Sequence, residues 1–324
     1  MSRTALRRAD AKGLAAAAAL LRAGALVAFP TETVYGLGAR AYDASAARRV
    51  YRAKGRPSDN PLIVHVCDEV MLADVVRRVT PLARRLIDAF WPGPLTLILE
   101  KSARVPAAVT AGGRTVAVRC PAHPAARALI RVLGEPVAAP SANRSGRPSP
   151  TTAAHVLRDL RGRVPLILDG GPCRKGLEST IVDARGKRPV ILRQGTVTSE
   201  QIARAAGVEV AAPGRAAPAA PGTRHRHYAP SCRVVLVSPS MVRHGAIAGL
   251  SGRGAGLVHR GPLAGKSPAF TERVRGGSAA YARELFAALR RAEAARVKTL
   301  FVETVPDRGV GRAVMDRLRR AAAR

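Results

Sequence analysis

Three cations lie close together, Arg52, Lys54 and Arg56, the last two in the stretch Lys54-Gly55-Arg56-Pro57-Ser58-Asp59-Asn60-Pro61-Leu62. Pro57 and Pro61 hold this segment out of helix, so its charged heads can converge instead of spreading around a helical face. Upstream, hydroxyl groups gather in Phe29-Pro30-Thr31-Glu32-Thr33-Val34-Tyr35-Gly36-Leu37-Gly38. Cations, hydroxyls and exposed backbone suit an anion, and glycines at 36, 38 and 55 would let the chain come close to it. Each piece alone is weak. A Lys-Gly-Arg is commonly a solvated loop, and Gly-Leu-Gly lacks the spacing of a dinucleotide fingerprint.

The elements that must position these groups follow from the apolar runs. A strand over 25–29 leads into the hydroxyl- and glycine-rich loop, Asp43 is placed to cap a helix over 45–53, and a strand over 62–66 follows the basic loop. Read together they form one strand-helix-strand unit that would bring the cations back to the hydroxyls. Further strands are expected at 95–99, 115–119, 136–139, 166–168, 179–182 and 190–192. Helices fill the gaps: one runs from Thr80-Pro81 to near Phe90, and others begin near Pro124, Thr152 and Ser199. The first 210 residues therefore read as an α/β domain with a twisted, mixed sheet.

Residues 211–230 break this pattern. Their opening, Ala-Ala-Pro-Gly-Arg-Ala-Ala-Pro-Ala-Ala-Pro-Gly, has the composition of an extended linker. Their end, Pro221-Gly222-Thr223-Arg224-His225-Arg226-His227-Tyr228-Ala229-Pro230, is too rich in recognition-type side chains for a passive tether. From 231 to 324 strands (234–237, 256–259, 299–302) again alternate with helices (278–291, 311–323), which suggests a smaller Rossmann-like α/β domain. It lacks a glycine fingerprint, so no cofactor is assigned to it.

Composition narrows the class. With 54 basic against 22 acidic residues the formal net charge is +32, which favours polyanions from nucleotides to RNA through long-range attraction. An RNA-binding or ribosome-associated module without catalysis is therefore the alternative function, although aromatic residues for base stacking make up only 3% of the chain. The four cysteines, at 67, 120, 173 and 232, form no Cys-x-x-Cys pair, which argues against a zinc site and a secreted disulfide framework and fits a reducing cytoplasm. Segment 11–26 reads as an amphipathic helix interrupted by Arg22 rather than a signal peptide, and no apolar run is long enough for a membrane span.

Five ordered motifs carry a family resemblance: Phe29 to Leu37 followed by Lys54-Gly55-Arg56-Pro57 and Asn60-Pro61-Leu62; Trp91-Pro92-Gly93-Pro94-Leu95-Thr96; Val118-Arg119-Cys120-Pro121; Ala139-Pro140-Ser141-Ala142-Asn143-Arg144-Ser145-Gly146; and Gly176-Leu177-Glu178-Ser179-Thr180. In this order they resemble the YrdC-like domain of threonylcarbamoyl-AMP synthases. The arrangement of linker and second domain resembles the long form of that family, in which the linker lies over the active site. A departure is Arg193-Gln194-Gly195, where the family more usually has Pro-Gly after the arginine.

The resemblance implies a nucleotidyltransferase that joins L-threonine, bicarbonate or carbon dioxide, and ATP into threonylcarbamoyl-AMP with release of pyrophosphate. The product would supply a downstream threonylcarbamoyl transferase that modifies tRNA. By motif match, Lys54 and Arg56 are the expected catalytic cations. Arg56, Asn60, Thr115, Ser141, Asn143, Ser149, Arg193 and Tyr228 are expected at ATP, and Thr33, His65, Arg119 and Ser179 at threonine. Lys54 and Arg56 are expected to face solvent in the empty site. Magnesium is expected to arrive with ATP, since no carboxylate cluster of the metal-holding kind is visible. A hydrogenase-maturation carbamoyltransferase, which also has a YrdC-like domain, is disfavoured because its paired zinc motifs and acylphosphatase-like domain are missing.

Overall fold

The computed structural model describes residues 4–214, 217–222, 228–265 and 267–323. Ten of its strands form one sheet. In chain order they are β1 (Ala5–Arg8), β2 (Val27–Phe29), β3 (Gly36–Arg40), β4 (Ile63–His65), β5 (Leu95–Glu100), β6 (Thr115–Arg119), β7 (Val137–Ala139), β8 (Leu166–Asp169), β9 (Thr180–Asp183) and β10 (Val190–Arg193). Across the sheet they run β1-β8-β2-β3-β7-β4-β6-β5-β9-β10. Pairing is parallel for β1/β8, β2/β8, β4/β6 and β5/β9 and antiparallel elsewhere, so the sheet is mixed as the alternation of elements predicts.

Successive residues of a strand point to opposite faces, and the first apolar run shows the result. Ala28 joins the cluster containing Leu37, Val64 and Leu97, whereas Val27 and Phe29 join the one formed with Leu21, Leu129 and Ile130. Each fully buried aliphatic side chain of this kind stabilises the fold by roughly 1.5–3 kcal/mol. Asp43 caps the helix Ala44–Lys54 by accepting from the amides of Ser45 and Ala46, and Thr80 caps Pro81–Phe90 by accepting from Ala83. Thr152 and Thr198 cap the helices Ala153–Leu160 and Ser199–Ala206 in the same way.

Two expectations about the first motif are corrected. Residues 36–40 form strand β3, which pairs antiparallel with β2. A hairpin therefore stands where a glycine loop was expected. In addition, β2 and β4 are separated by β3 and β7, so they do not make a simple strand-helix-strand unit. The glycines explain the misreading. A Cβ at Gly38 would lie 2.8 Å from Val137 and 2.9 Å from the Phe29 ring, so this glycine makes room for the core, not for a ligand. Gly55 ends its helix in the left-handed conformation, at φ 63°, which a glycine adopts without strain.

The second sheet is all parallel: β11 (Arg233–Val237), β12 (Ala255–His259), β13 (Phe270–Arg273) and β14 (Thr299–Glu303), in the order β11-β14-β12-β13. Strand β13, of the sequence Phe-Thr-Glu-Arg, was not anticipated because it has one apolar residue and lies at the sheet edge. Helices Ser278–Ala294 and Val310–Ala322 cover this sheet, and their apolar cluster extends into the first domain through Val34 and Leu177. Among the described residues no helix is long and apolar enough to cross a membrane.

Candidate active site

A cleft opens over the sheet where the Thr31–Gly36 stretch, the ends of β4, β6 and β10 and the Pro140-Ser141 turn meet. Of the residues singled out from sequence, Thr33, Arg56, His65, Arg119, Ser141, Ser179, Arg193 and Tyr228 line it. Thr115 does not. It begins β6, whose other end carries Arg119, four residues or roughly 13 Å away at the rise of a strand. It lines a separate surface depression with Arg77, Lys101 and Arg114. The motif match places it at the nucleotide; the strand sets it at the end of β6 opposite Arg119.

Arg119 is held from three directions. Nε donates to Gly93 O at 3.1 Å, Nη1 to Thr33 Oγ1 at 2.9 Å, and Nη2 to Glu32 Oε1 at 2.5 Å. The Glu32 carboxyl is held below its usual range by Arg119 and its hydrogen bonds against the opposing effect of burial, so it stays charged. Because Thr31 donates its hydroxyl proton to Val34 O, the Thr33 hydroxyl proton is directed to Thr31 Oγ1, and Thr33 is left as the acceptor for the guanidinium. Glu32 was not assigned a role from sequence. A carboxylate next to a site for an anionic substrate carries no anion-binding signal, and only the fold shows that it fixes the arginine.

Arg56 donates from Nε to Asn60 O at 3.0 Å and from Nη2 to Asn60 Oδ1 at 2.5 Å and Pro61 O at 2.8 Å. Arg193 donates from Nε and Nη2 to Ser179 O, at 3.1 and 3.0 Å, and from Nη1 to Pro221 O at 3.0 Å. Lys54 Nζ donates to the carbonyls of Ser141 and Asn143, beneath the Pro-Ser-Ala-Asn turn. All three cations are buried, which corrects the expectation that Lys54 and Arg56 face solvent. The prolines pin the loop and the turn folds over the lysine, so the charges converge inside the domain. Among the described residues none of the three makes an ion pair with a carboxylate. Burial pulls the Lys54 ammonium well below its ordinary range and lowers Arg56 to about 10, and in each case a neighbouring arginine adds to the effect. Arg193 is lowered as well, first by burial.

Behind the cleft lies a layer of support. Asn60 accepts from Arg56 and from the amide of Gly222 at 3.2 Å. Asn143 donates to Arg144 O and Arg147 O, and the Ser149 hydroxyl donates to Glu178 Oε1. Thr96 and Ser179 share a hydrogen bond of 2.7 Å between their hydroxyl oxygens. From the linker, Pro221, Gly222 and Tyr228 reach the cleft. The recognition-type residues Arg224, His225, Arg226 and His227 lie outside the described residues.

His65 is buried edge-on to Phe29, with ring centroids 5.9 Å apart, and its Nδ1 lies 3.2 Å from Ile63 O. Burial, with Arg119 nearby, lowers its pKa to about 3, so the imidazole is neutral. An unfolded chain takes up that proton near pH 6.5, so between about 6.5 and 3 the unfolded state binds more protons and stability falls as the pH falls. Urea midpoints are expected to drop over this window, with a shallower slope in His65→Asn. An unchanged slope would show that His65 is already charged in the fold.

The architecture and the cleft define a two-domain α/β protein that gathers buried cations around a pocket suited to small anions. Comparison with known proteins identifies the family. A family model described as "Telomere recombination", covering Sua5, YciO and YrdC proteins, matches residues 19–195, and one described as "Threonylcarbamoyl-AMP synthase, C-terminal domain" matches 197–323. Threonylcarbamoyl-AMP synthase of Pyrococcus abyssi is 43% identical, over 94% of this chain and 93% of its own length, and that of Bacillus subtilis is 45% identical, over 95% and 92%. The crystal structure of P. abyssi Sua5 complexed with L-threonine superimposes with a TM-score of 0.91 at 40% identity, covering 99% of this chain and 97% of the other. The chain belongs to the threonylcarbamoyl-AMP synthase family, whose members are ATP-using enzymes of nucleotidyl transfer.

Proposed function

We propose that this chain condenses L-threonine, bicarbonate or carbon dioxide, and ATP into threonylcarbamoyl-AMP, releasing pyrophosphate, for use in tRNA modification. The observation that carries this reading is the pair of buried cations lining the cleft, Arg56 and Arg193, with the buried Lys54 behind them, none of which has a carboxylate partner among the described residues. An anion entering the cleft relieves both their mutual repulsion and their lost hydration. Threonine and carbon dioxide first form an N-carboxylate. One of its oxygens then attacks the α-phosphorus, the bond to the β-phosphate oxygen breaks, and pyrophosphate leaves. Such a displacement needs alignment and charge compensation rather than a nucleophilic side chain.

In this reading Arg119, held rigid by Glu32 and Thr33, receives the threonine carboxylate on the N–H groups that its internal bonds leave over. Ser179 and the neutral His65 complete the threonine end, and Arg56, Ser141 and Tyr228 face the nucleotide. Lys54, Asn60, Asn143 and Ser149 act from behind the cleft by fixing the turns that carry it. Magnesium enters as Mg·ATP, bound through phosphate oxygens and water. Pyrophosphate release measured with threonine, bicarbonate and ATP omitted in turn is expected to require all three. Release that ignores threonine would overturn the synthase reading.

Direct contact with tRNA is a separate proposal, supported by the net charge of +32. Its test is a binding titration against salt, since contacts to phosphates give an affinity that falls steeply as salt rises. The catalysis-free alternative is distinguished by the same two experiments, as RNA binding without turnover.

A further inference from the structure

Helix Val310–Ala322 inserts Arg317, fully buried, between the two domains. Its Nε donates to Glu178 Oε2 at 3.0 Å, while Glu178 Oε1 accepts the hydroxyl proton of Ser149. Its guanidinium lies over the Tyr228 ring, 5.2 Å from the centroid, and the ring stacks on Phe286 at 5.3 Å. Arg290, from the helix Ser278–Ala294, grips the neighbouring residue by donating to Pro148 O and is anchored on Asp159 at 2.8 Å. The second domain thus holds the Pro148-Ser149 segment at its backbone and, through Glu178, at its side chain. Gly176, next to this motif, packs so closely on that helix that a Cβ would lie 2.3 Å from Arg283 O.

We propose that Arg317 is a positioning residue for the reaction: through Glu178 it fixes the Ser149 hydroxyl, and through the face of Tyr228 it seats the returning linker on the same cleft. The C-terminal domain then completes the active site. Docking alone does not require this arrangement, because a buried ion pair adds little stability over apolar side chains of similar volume. What the pair supplies is orientation, since one carboxylate takes the arginine on one oxygen and the serine on the other. Arg317, Arg193, Lys54 and Ser149 face Glu178 from four elements, with Asp316 and Tyr228 nearby. Burial opposes the charge on Glu178, but its neighbours outweigh it and the carboxyl lies below its ordinary range, with Arg317 the largest influence that lowers it.

This inference rests on the synthase reading, so the test compares variants with the unmodified chain in the pyrophosphate-release assay. Arg317→Met keeps the volume but removes the donor and the charge. It is expected to lower kcat about tenfold or more and to move the acidic limb of the pH–rate profile upward, because Glu178 loses the cation that keeps it ionised. Arg317→Lys should restore part of both. Adding Glu178→Gln to Arg317→Met should cost little more than either alone. A lowered melting temperature with kcat and pH profile unchanged would show that Arg317 only docks the domains. Should Arg317→Met not fold, Glu178→Gln with an unchanged kcat overturns the proposal instead. Absence of pyrophosphate release from the unmodified chain would overturn the synthase reading and this inference with it, whereas release that Arg317→Met leaves unchanged overturns this inference alone.

Discussion

Arg119→Ala is expected to abolish most threonine-dependent turnover, with kcat/KM for threonine falling by roughly thirtyfold to several thousandfold. Losing one partner of a buried, charge-assisted pair costs about 2–5 kcal/mol, and every 1.4 kcal/mol is tenfold. The same change leaves Glu32 buried without its cation, which should cost about 3–5 kcal/mol of stability. Activity loss and unfolding must therefore be separated. Pairing Arg119→Ala with Glu32→Gln removes the orphaned charge, so the double variant should regain much of the melting temperature while threonine use stays low. If activity returns with stability, Arg119 supports the fold and does not meet the substrate.

Arg56→Ala and Lys54→Met should part company. Arg56 lines the cleft, and losing a contact to a transferring phosphate is expected to lower ATP turnover by roughly 10²–10³. Its stability effect should be smaller than that of Lys54→Met, since Arg56 lines the cleft, where water can reach the acceptors it leaves at Asn60 and Pro61, and repulsion from Lys54 and Arg193 is relieved. Lys54→Met orphans the carbonyls of Ser141 and Asn143, each at about 1–3 kcal/mol if left buried and unpaired. That variant should melt early and lose activity as its turn loosens. Thermal melts and ATP saturation curves on both variants decide the point. An Arg56→Ala protein that melts early yet keeps full activity per folded molecule would make Arg56 the structural member of the pair.

Much of the site was legible because its chemistry is written in short, contiguous motifs. Thr33, Arg119, Ser141, Ser179 and Tyr228 reach the cleft as their motifs imply, and the caps at Asp43, Thr80 and Thr152 start helices where they should. What could not be read was which end of an element faces the site. Thr115 and Arg119 share one short strand, yet they stand at its opposite ends and line different depressions. Burial of the cations was missed for a related reason: a basic loop is usually solvated, and only the turn carrying Ser141 and Asn143 encloses Lys54.

The sequence by itself determined the class of elements, the two-part organisation and the residue types available for anions, since propensity, capping and apolar period act over a few residues. Tertiary structure alone decided that Gly36–Arg40 pairs as a strand and that Glu32 fixes Arg119. It also brought Arg317, 139 positions along the chain, to Glu178. These are contacts between residues distant in sequence or set by strand pairing. They depend on the packing of the whole sheet and both domains, which no local pattern encodes.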